Sequence, residues 1–485
     1  MNSRHRSPRS HPRLLESRPH FHRQSYRPKP DPRQTKPKGI ATLWTRVRRL
    51  IWSWWPWALL VVYLIDKRQW WGAFGVALWA GVCSLSTPAE FPPQYGLDHD
   101  LEVGSVDFVD TMAGATGVPF VGGNSIVLLN NGDAFYPAML KEIEAAEQSI
   151  TIEAYIYWAG EIGLQFAQAL AAAAQRGVRV KILLDSVGSS SVGRDILQIL
   201  EKGGCHLAWY NPLRLTTLRR INNRTHRKSL VCDGRVGFTG GAGIADHWTG
   251  NAQDAKHWRD LQIRIEGPAI RPLQTGFAQN WLEATSELVW GPAFYPTPRQ
   301  AGKLAVQTIM SSPETGASSV RVMYCLAISS ATKTIDIANP YFVPDHVSID
   351  LFRDAVKRGV RVRVMVAGIR NDTWITRKNS LRLYGAVLDA GVELLEYERT
   401  MMHHKIMMVD GLWSTIGTAN FDNRSFSHNE ESNVCICDEG LARELIATFE
   451  QDLRVCRRVT KEDWQKRGIA EKALEGLASF VQDQV

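Results

Sequence analysis

Two uncharged apolar runs stand near the start of the chain, residues 50–65 (LIWSWWPWALLVVYLI) and 70–85 (WWGAFGVALWAGVCSL), parted by Asp66-Lys67-Arg68-Gln69. Neither has a polar face, and a helix apolar all round belongs in a core or in lipid. At 1.5 Å per residue each reaches about 24 Å, short of the roughly 30 Å of a bilayer's hydrocarbon. The pair predicts a membrane hairpin, either two short transmembrane spans or a re-entrant dip into one leaflet. Eight of the 17 tryptophans lie between Trp44 and Trp79, clustered toward the ends of the runs as interfacial tryptophans are. Arg46, Arg48 and Arg49 abut the first run, which puts the amino terminus in the cytoplasm; a hairpin returns the rest of the chain there. The block begins too late for a signal peptide and has no small-residue cleavage site after it.

Farther on, the pattern alternates strand and helix, and it does so twice. Helical spacing over 135–147 leads to a β-branched and aromatic run at 149–157; a helix over 163–175 then ends at Arg176-Gly177 and feeds a buried strand at 178–185. In the second pass, 334–342 answers the first strand and 349–357 the helix. Arg358-Gly359-Val360-Arg361-Val362 repeats Arg176-Gly177-Val178-Arg179-Val180. Such alternation predicts an α/β fold of two tandem domains, each a mixed or parallel sheet flanked by helices. The expected division is a disordered basic tail at 1–42, the hairpin at 43–88, a Gly/Pro-rich acidic connector at 89–123, and domains at 124–298 and 299–485.

The net charge of +8 misleads until it is located. Residues 1–49 hold 14 of the 57 Lys and Arg and two of the 49 acids, leaving the remainder with 43 basic and 47 acidic residues. The body is therefore mildly acidic and the basicity belongs to the tail, which has too few aliphatics to offset its conformational entropy. Seven scattered cysteines argue against a disulfide framework and agree with a reducing compartment. Cys435-x-Cys437 reads as strand packing rather than metal ligation.

Chemistry enters with a pattern present in both halves. His226-Arg227-Lys228 is followed by Asp233, and 177 positions later His403-His404-Lys405 is followed by Asp410. Small-residue turns come after each: Gly240-Gly241-Ala242-Gly243 and Gly417-Thr418-Ala419-Asn420. Residues two apart on a strand face the same side, so His226 projects with Lys228 and His403 with Lys405. Two such halves, packed face to face, bring two imidazoles and two ammoniums into one cleft. That set serves phosphodiester transfer: one His attacks phosphorus, the other protonates the leaving oxygen, and the lysines neutralise the non-bridging oxygens. No metal or other cofactor is needed. His404, on the odd position, is expected to face away from His403.

The duplicated motif resembles that of the phospholipase D superfamily, and within it the bacterial cardiolipin synthases. Further support comes from Gly122-Gly123-Asn124-Ser125, Ala154-Tyr155-Ile156-Tyr157, Asn339-Pro340-Tyr341-Phe342 and the stretch from Gly417 to Ser425. The resemblance implies that His226 is the nucleophile and His403 the general acid and later base, with roles exchangeable in a pseudo-symmetric site. It implies that Lys228, Lys405 and Asn420 bind phosphate oxygens. Asp233 and Asp410 complete the catalytic motif and are expected to anchor its turns. It also implies a carboxylate in each half that orients an imidazole: Asp260 for the first half, and Glu431 for the second, with Glu430 adjacent. Gly243 departs from the family's Asn. Arg214, Arg219, Arg220, Arg224 and Arg227 form a basic fringe suited to anionic headgroups.

The expected activity is transfer of a phosphatidyl group between two phosphatidylglycerol molecules at an anionic membrane surface, on the cytoplasmic side of a bacterial inner membrane. Hydrolysis to phosphatidic acid uses the same residues. A nuclease fits poorly with an acidic, membrane-tethered body, so no nucleic acid is expected as a partner. A silent scaffold fits poorly with two complete motifs.

Overall fold

The computed structural model describes residues 54–85, 101–212, 222–313 and 319–478. The basic tail lies outside the described residues, as do Arg214, Arg219 and Arg220.

The apolar runs form two helices, Trp54–Asp66 and Trp70–Leu85, reversed by Arg68 at φ 59. They pack antiparallel, with Trp57 edge-on to Trp79 (ring centroids 6.2 Å apart) and Leu64 beside Gly72. Apolar side chains including Leu59, Val62, Tyr63, Trp71 and Phe74 stay exposed around the pair. Among the described residues, no helix is long and apolar enough to cross a membrane.

The first half contributes strands β1 (Val121–Asn130), β2 (Ser149–Ala154), β3 (Arg179–Asp185), β4 (His206–Tyr210), β5 (Arg224–Thr225), β6 (Lys228–Cys232), β7 (Val236–Gly240) and β8 (Leu261–Glu266). The second contributes β9 (Leu304–Ser311), β10 (Thr334–Ala338), β11 (Arg361–Ala367), β12 (Glu393–Tyr397), β13 (Ile406–Val409), β14 (Trp413–Gly417), β15 (Asn429–Cys437) and β16 (Cys456–Val459). From its outer edge inward, the first half reads β4-β3-β2-β6-β7-β8-β1 and the second β12-β11-β10-β13-β14-β15-β9, with β16 added outside β12. The duplication seen in sequence is thus a duplication of topology. In each half three strands are parallel and the others antiparallel, so the sheet is mixed.

The halves join edge to edge, not face to face. Antiparallel β1 and β9 meet at Val121–Val306 and Asn124–Leu304, making one continuous sheet. Face-to-face packing would leave both inner edges with unpaired backbone groups, and this pairing removes them. A core at the seam, with Leu261, Ile263, Val306, Met402 and Phe449, binds the halves together.

The connector holds more structure than its composition suggests. Ser105 caps the helix Val106–Thr116 through Phe108 N–H, and Gly117 closes it at φ 71. Phe108 and Met112, four apart on one face, are fully buried in the second half's core. That core continues through Phe352, Trp413 and Phe421, while Phe135, Phe166 and Ile182 fill its counterpart.

Candidate active site

Each motif begins at one end of a hairpin and is anchored at the other. Asp233-Gly234 and Asp410-Gly411 turn β6 into β7 and β13 into β14, all four residues at positive φ (53, 59, 54 and 67). This is the Asp-Gly chemistry of a tight primed turn. Asp233 accepts from the N–H groups of Glu147, Gln148 and Ser149, and Asp410 from those of Thr332, Lys333 and Thr334. Both carboxylates lie about 16 Å along the strand from the lysine of their own motif. They fasten turns and stand apart from the cleft, so the catalytic grouping does not include them.

His226, Lys228, His403 and Asn420 line one cavity of about 420 Å³, with Trp158, Trp258, Arg424 and Asn429 in its walls. Lys405 is fully buried beside it, Nζ 2.6 Å from the His403 carbonyl oxygen and 3.0 Å from its Nε2. Lys228 Nζ donates to the His226 carbonyl at 2.8 Å. A tyrosine backs each pair: Tyr155 is 5.2 Å from the His226 ring with Lys228 over it, and Tyr341 is 6.0 Å from the His403 ring with Lys405 over it. These tyrosines follow β2 and β10, inside stretches the sequence flags without assigning them a role.

The orienting carboxylates are crossed. His226 Nδ1 lies 3.0 Å from both oxygens of Glu431, and His403 Nδ1 lies 2.9 Å from Asp260 Oδ2. The expectation that each half orients its own imidazole is therefore corrected. The cause is topological: Asp260 and Glu431 sit where β8 and β15 flank the seam, and there they face the opposite half. Main-chain bonds repeat the exchange, with His226 N–H donating to Glu430 O and His403 N–H to Arg259 O. Glu430 points elsewhere, pairing with Arg227 and accepting from the Ser312 hydroxyl. His404 is fully buried beneath the site, 3.9 Å from Asp452.

Gly243 has a steric reason. A Cβ there would meet the Ile156 carbonyl at 2.8 Å and the Trp248 ring at 3.1 Å. Trp248, which the sequence reading missed, donates from Nε1 to Asp260 Oδ2 at 2.8 Å. In the other half the Thr418 hydroxyl does this for Glu431 at 2.5 Å. Gly241 stands one repeat before Thr418, and its missing side chain leaves the space Asp260 occupies. The first half has thus exchanged a hydroxyl donor for an indole, and the cleft's side-chain amides, Asn420 and Asn429, both come from the second.

Burial dominates the electrostatics. It pulls both imidazoles down to about 4, against the opposing pull of Glu431 and Asp260 and with the help of the ammoniums. It brings Lys228 to about 7, with Lys405 adding to the effect, and Lys405 to about 8. Burial drives the carboxylates upward, yet the histidine–lysine pairs hold Asp260 and Glu431 below their ordinary range. Each resting imidazole is neutral, with Nδ1 against a carboxylate, and on His403 the Lys405 ammonium stands 3.0 Å from Nε2.

A fixed dianion such as tungstate is accordingly expected to bind more weakly as pH rises through 7–8, where the lysines lose their charge. From pH 6 to pH 9 the loss is about tenfold or more, with proton uptake on binding near pH 7.5. Calorimetric titration in buffers of different ionisation enthalpy measures both, and a pH-independent affinity contradicts the assignment.

The comparisons with known proteins agree with this geometry. The family model described as "Cardiolipin synthase, PLD-like domain" matches residues 139–281 and 324–453. The chain is 32% identical over 365 residues to cardiolipin synthase 2 of Staphylococcus epidermidis, covering 74% of each. It is 35% identical over 357 residues to a cardiolipin synthase of Geobacillus kaustophilus, covering 73% of this chain and 71% of that one. Among solved structures, phosphatidylserine synthase of Haemophilus influenzae superposes with a TM-score of 0.59 at 13% identity, over 78% of this chain and all of the other, a likeness of fold. With two half-sites, one cleft and this depth of similarity, the chain belongs to the phospholipase D-like cardiolipin synthase family and is an enzyme of the phosphatidyltransferase class.

Proposed function

We propose that the protein makes cardiolipin by moving a phosphatidyl group from one phosphatidylglycerol to another through a phosphohistidine, with release of glycerol. The observation that carries this is the pair of neutral imidazoles, each held through Nδ1 by a carboxylate of the opposite half and opening on one cleft. The names of the relatives supply the lipid substrate.

In the first step His226 Nε2 forms a bond to phosphorus, the bond from phosphorus to the glycerol oxygen breaks, and His403 gives that oxygen a proton. In the second, the acceptor's hydroxyl gives its proton to His403, its oxygen bonds phosphorus, and the N–P bond breaks. Lys228 and Lys405 neutralise the phosphate oxygens, and the Asn420 amide donates a hydrogen bond to one of them. An imidazole pulled to about 4 carries no second proton at neutral pH, but a bound phosphodiester anion raises it. Substrate charge thus supplies the proton affinity that burial removes.

The hairpin serves as the membrane anchor in this proposal. Its exposed apolar side chains need a non-aqueous neighbour, and its short helices suit a shallow seat in one leaflet. The basic tail draws the same region toward anionic lipid on the cytoplasmic face of the bacterial inner membrane.

The test is to incubate the full chain, purified in detergent, with labelled phosphatidylglycerol. Cardiolipin and an equal amount of glycerol are expected; phosphatidic acid with glycerol makes the protein a hydrolase instead.

A further inference from the structure

The cleft proposed to take an anionic phosphodiester also holds a carboxylate that the transfer steps do not use. Asp372 lies between β11 and the helix Trp374–Asp389 and lines the cavity on the side of His403. Both its oxygens lie 2.6 Å from the Tyr341 hydroxyl, which donates to them. Tyr341 itself stands edge-on to the His403 ring, so Asp372 is fixed relative to the proton donor. Thr373 and Thr376 complete this corner. From the first half, Ser190 and Ser191 line the cavity without a charge. The cavity's two carboxylates, Asp372 and Asp422, both come from the second half, and Asp422 is engaged in capping the helix Asn423–Ser427 through Ser425 N–H.

An exposed carboxylate in an anion-binding cleft repels its ligand unless that part of the ligand offers hydrogen-bond donors. The alcohols on which His403 acts, the one leaving and the one arriving, occupy this side in turn. We propose that Asp372, held by Tyr341, reads the headgroup: it accepts from the free hydroxyls of glycerol, first on the departing alcohol and then on the incoming phosphatidylglycerol. Each oxygen retains lone pairs beside the one facing Tyr341, so a diol can be met by both. Water offers the pocket less to hold, which favours transfer over hydrolysis. This inference rests on the reading of the reaction as phosphatidyl transfer between glycerol headgroups.

The experiment compares full-chain wild type, Asp372→Asn and Asp372→Glu in mixed micelles. The substrates are phosphatidylglycerol, phosphatidylethanolamine as donor, and bis(4-nitrophenyl) phosphate, a diester with no hydroxyl or amine. Asp372→Asn is expected to lower cardiolipin formation about tenfold more than it lowers nitrophenyl ester hydrolysis, as loss of headgroup hydrogen bonds would. The effect should fall on KM for phosphatidylglycerol more than on kcat, the ratio of phosphatidic acid to cardiolipin should rise, and Asp372→Glu should restore part of the selectivity. Equal losses on both substrates, or an unchanged product ratio, overturn the proposal. A wild-type preference for phosphatidylethanolamine that vanishes in Asp372→Asn also overturns it, since the carboxylate then reads an ammonium. Should wild type yield phosphatidic acid and no cardiolipin, the synthase reading fails. Asp372 is then still judged by whether its substitution spares the nitrophenyl ester relative to phosphatidylglycerol hydrolysis.

Discussion

His403→Ala protein given bis(4-nitrophenyl) phosphate is expected to release about one nitrophenolate per cleft and then stall. Nitrophenolate leaves without a proton, so His226 can still form the N–P bond. Resolution needs a base to activate water, and the variant has none. His226→Ala is expected to give no burst at all. With phosphatidylglycerol, whose leaving alkoxide needs a proton, both variants should lose about three or more orders of magnitude in rate. Rapid mixing measures the burst, and phosphorus NMR at high pH, where phosphohistidine survives, identifies the adduct. A burst in His226→Ala and none in His403→Ala would exchange the two roles. Steady turnover in both would remove the covalent intermediate.

The largest effect on stability is expected at Arg227, a residue the motif leaves unspecified. Its side chain is 1% exposed. It pairs with Glu430 at 2.5 Å and donates to the carbonyls of Gly276 at 3.1 Å and Ser311 at 2.9 Å, tying the helix Ile270–Thr285 to β9 and β15 across the seam. Arg227→Ala leaves Glu430 buried without its cation, at a cost of about 3–5 kcal/mol. Burial already pushes the Glu430 carboxyl up, and Arg227 is the main force opposing this. In the variant the folded protein therefore binds a proton that the unfolded chain releases, and stability falls as pH rises above the ordinary carboxylate range. Urea unfolding in detergent should show a deficit smaller at pH 5 than at pH 8. Arg227→Met with Glu430→Leu should recover much of the loss; if the single and double variants are equally weak, the cost lies in packing alone.

Much of this site is legible in the sequence because local spacing determines it. His and Lys two apart stand together at the head of a strand, with His226 just before β6 and His403 and Lys405 just before β13, and Asp-Gly at each motif's end makes a turn wherever it sits. The crossed carboxylates are not legible, because Asp260 and Glu431 have the same local surroundings whichever histidine they serve. The choice is made by which strands flank the seam, and that depends on β1 finding β9. The runs at 149–157 and 334–342 end as strands at Ala154 and Ala338 because the residues beyond peel away to build the cleft wall. Composition hid Phe108 and Met112, whose four-residue spacing inside a Gly-rich stretch was the available clue to a packed helix. Trp248 gave no local signal; its role follows from Gly241 and Gly243 making room for it and for Asp260.

Crossing has a consequence for inheritance. A half of this chain, alone, would own a histidine and a lysine and lend its carboxylate to nothing. Only by docking a second copy of itself could it complete two imidazole–carboxylate pairs, so the arrangement fits an ancestor that worked as a symmetric pair before its gene was doubled and fused. Fusion freed the copies to differ, as Trp248 and Thr418 do, but the exchange binds their fates. A substitution that spoils the carboxylate of one half disables the histidine of the other, and selection sees the two as a single trait.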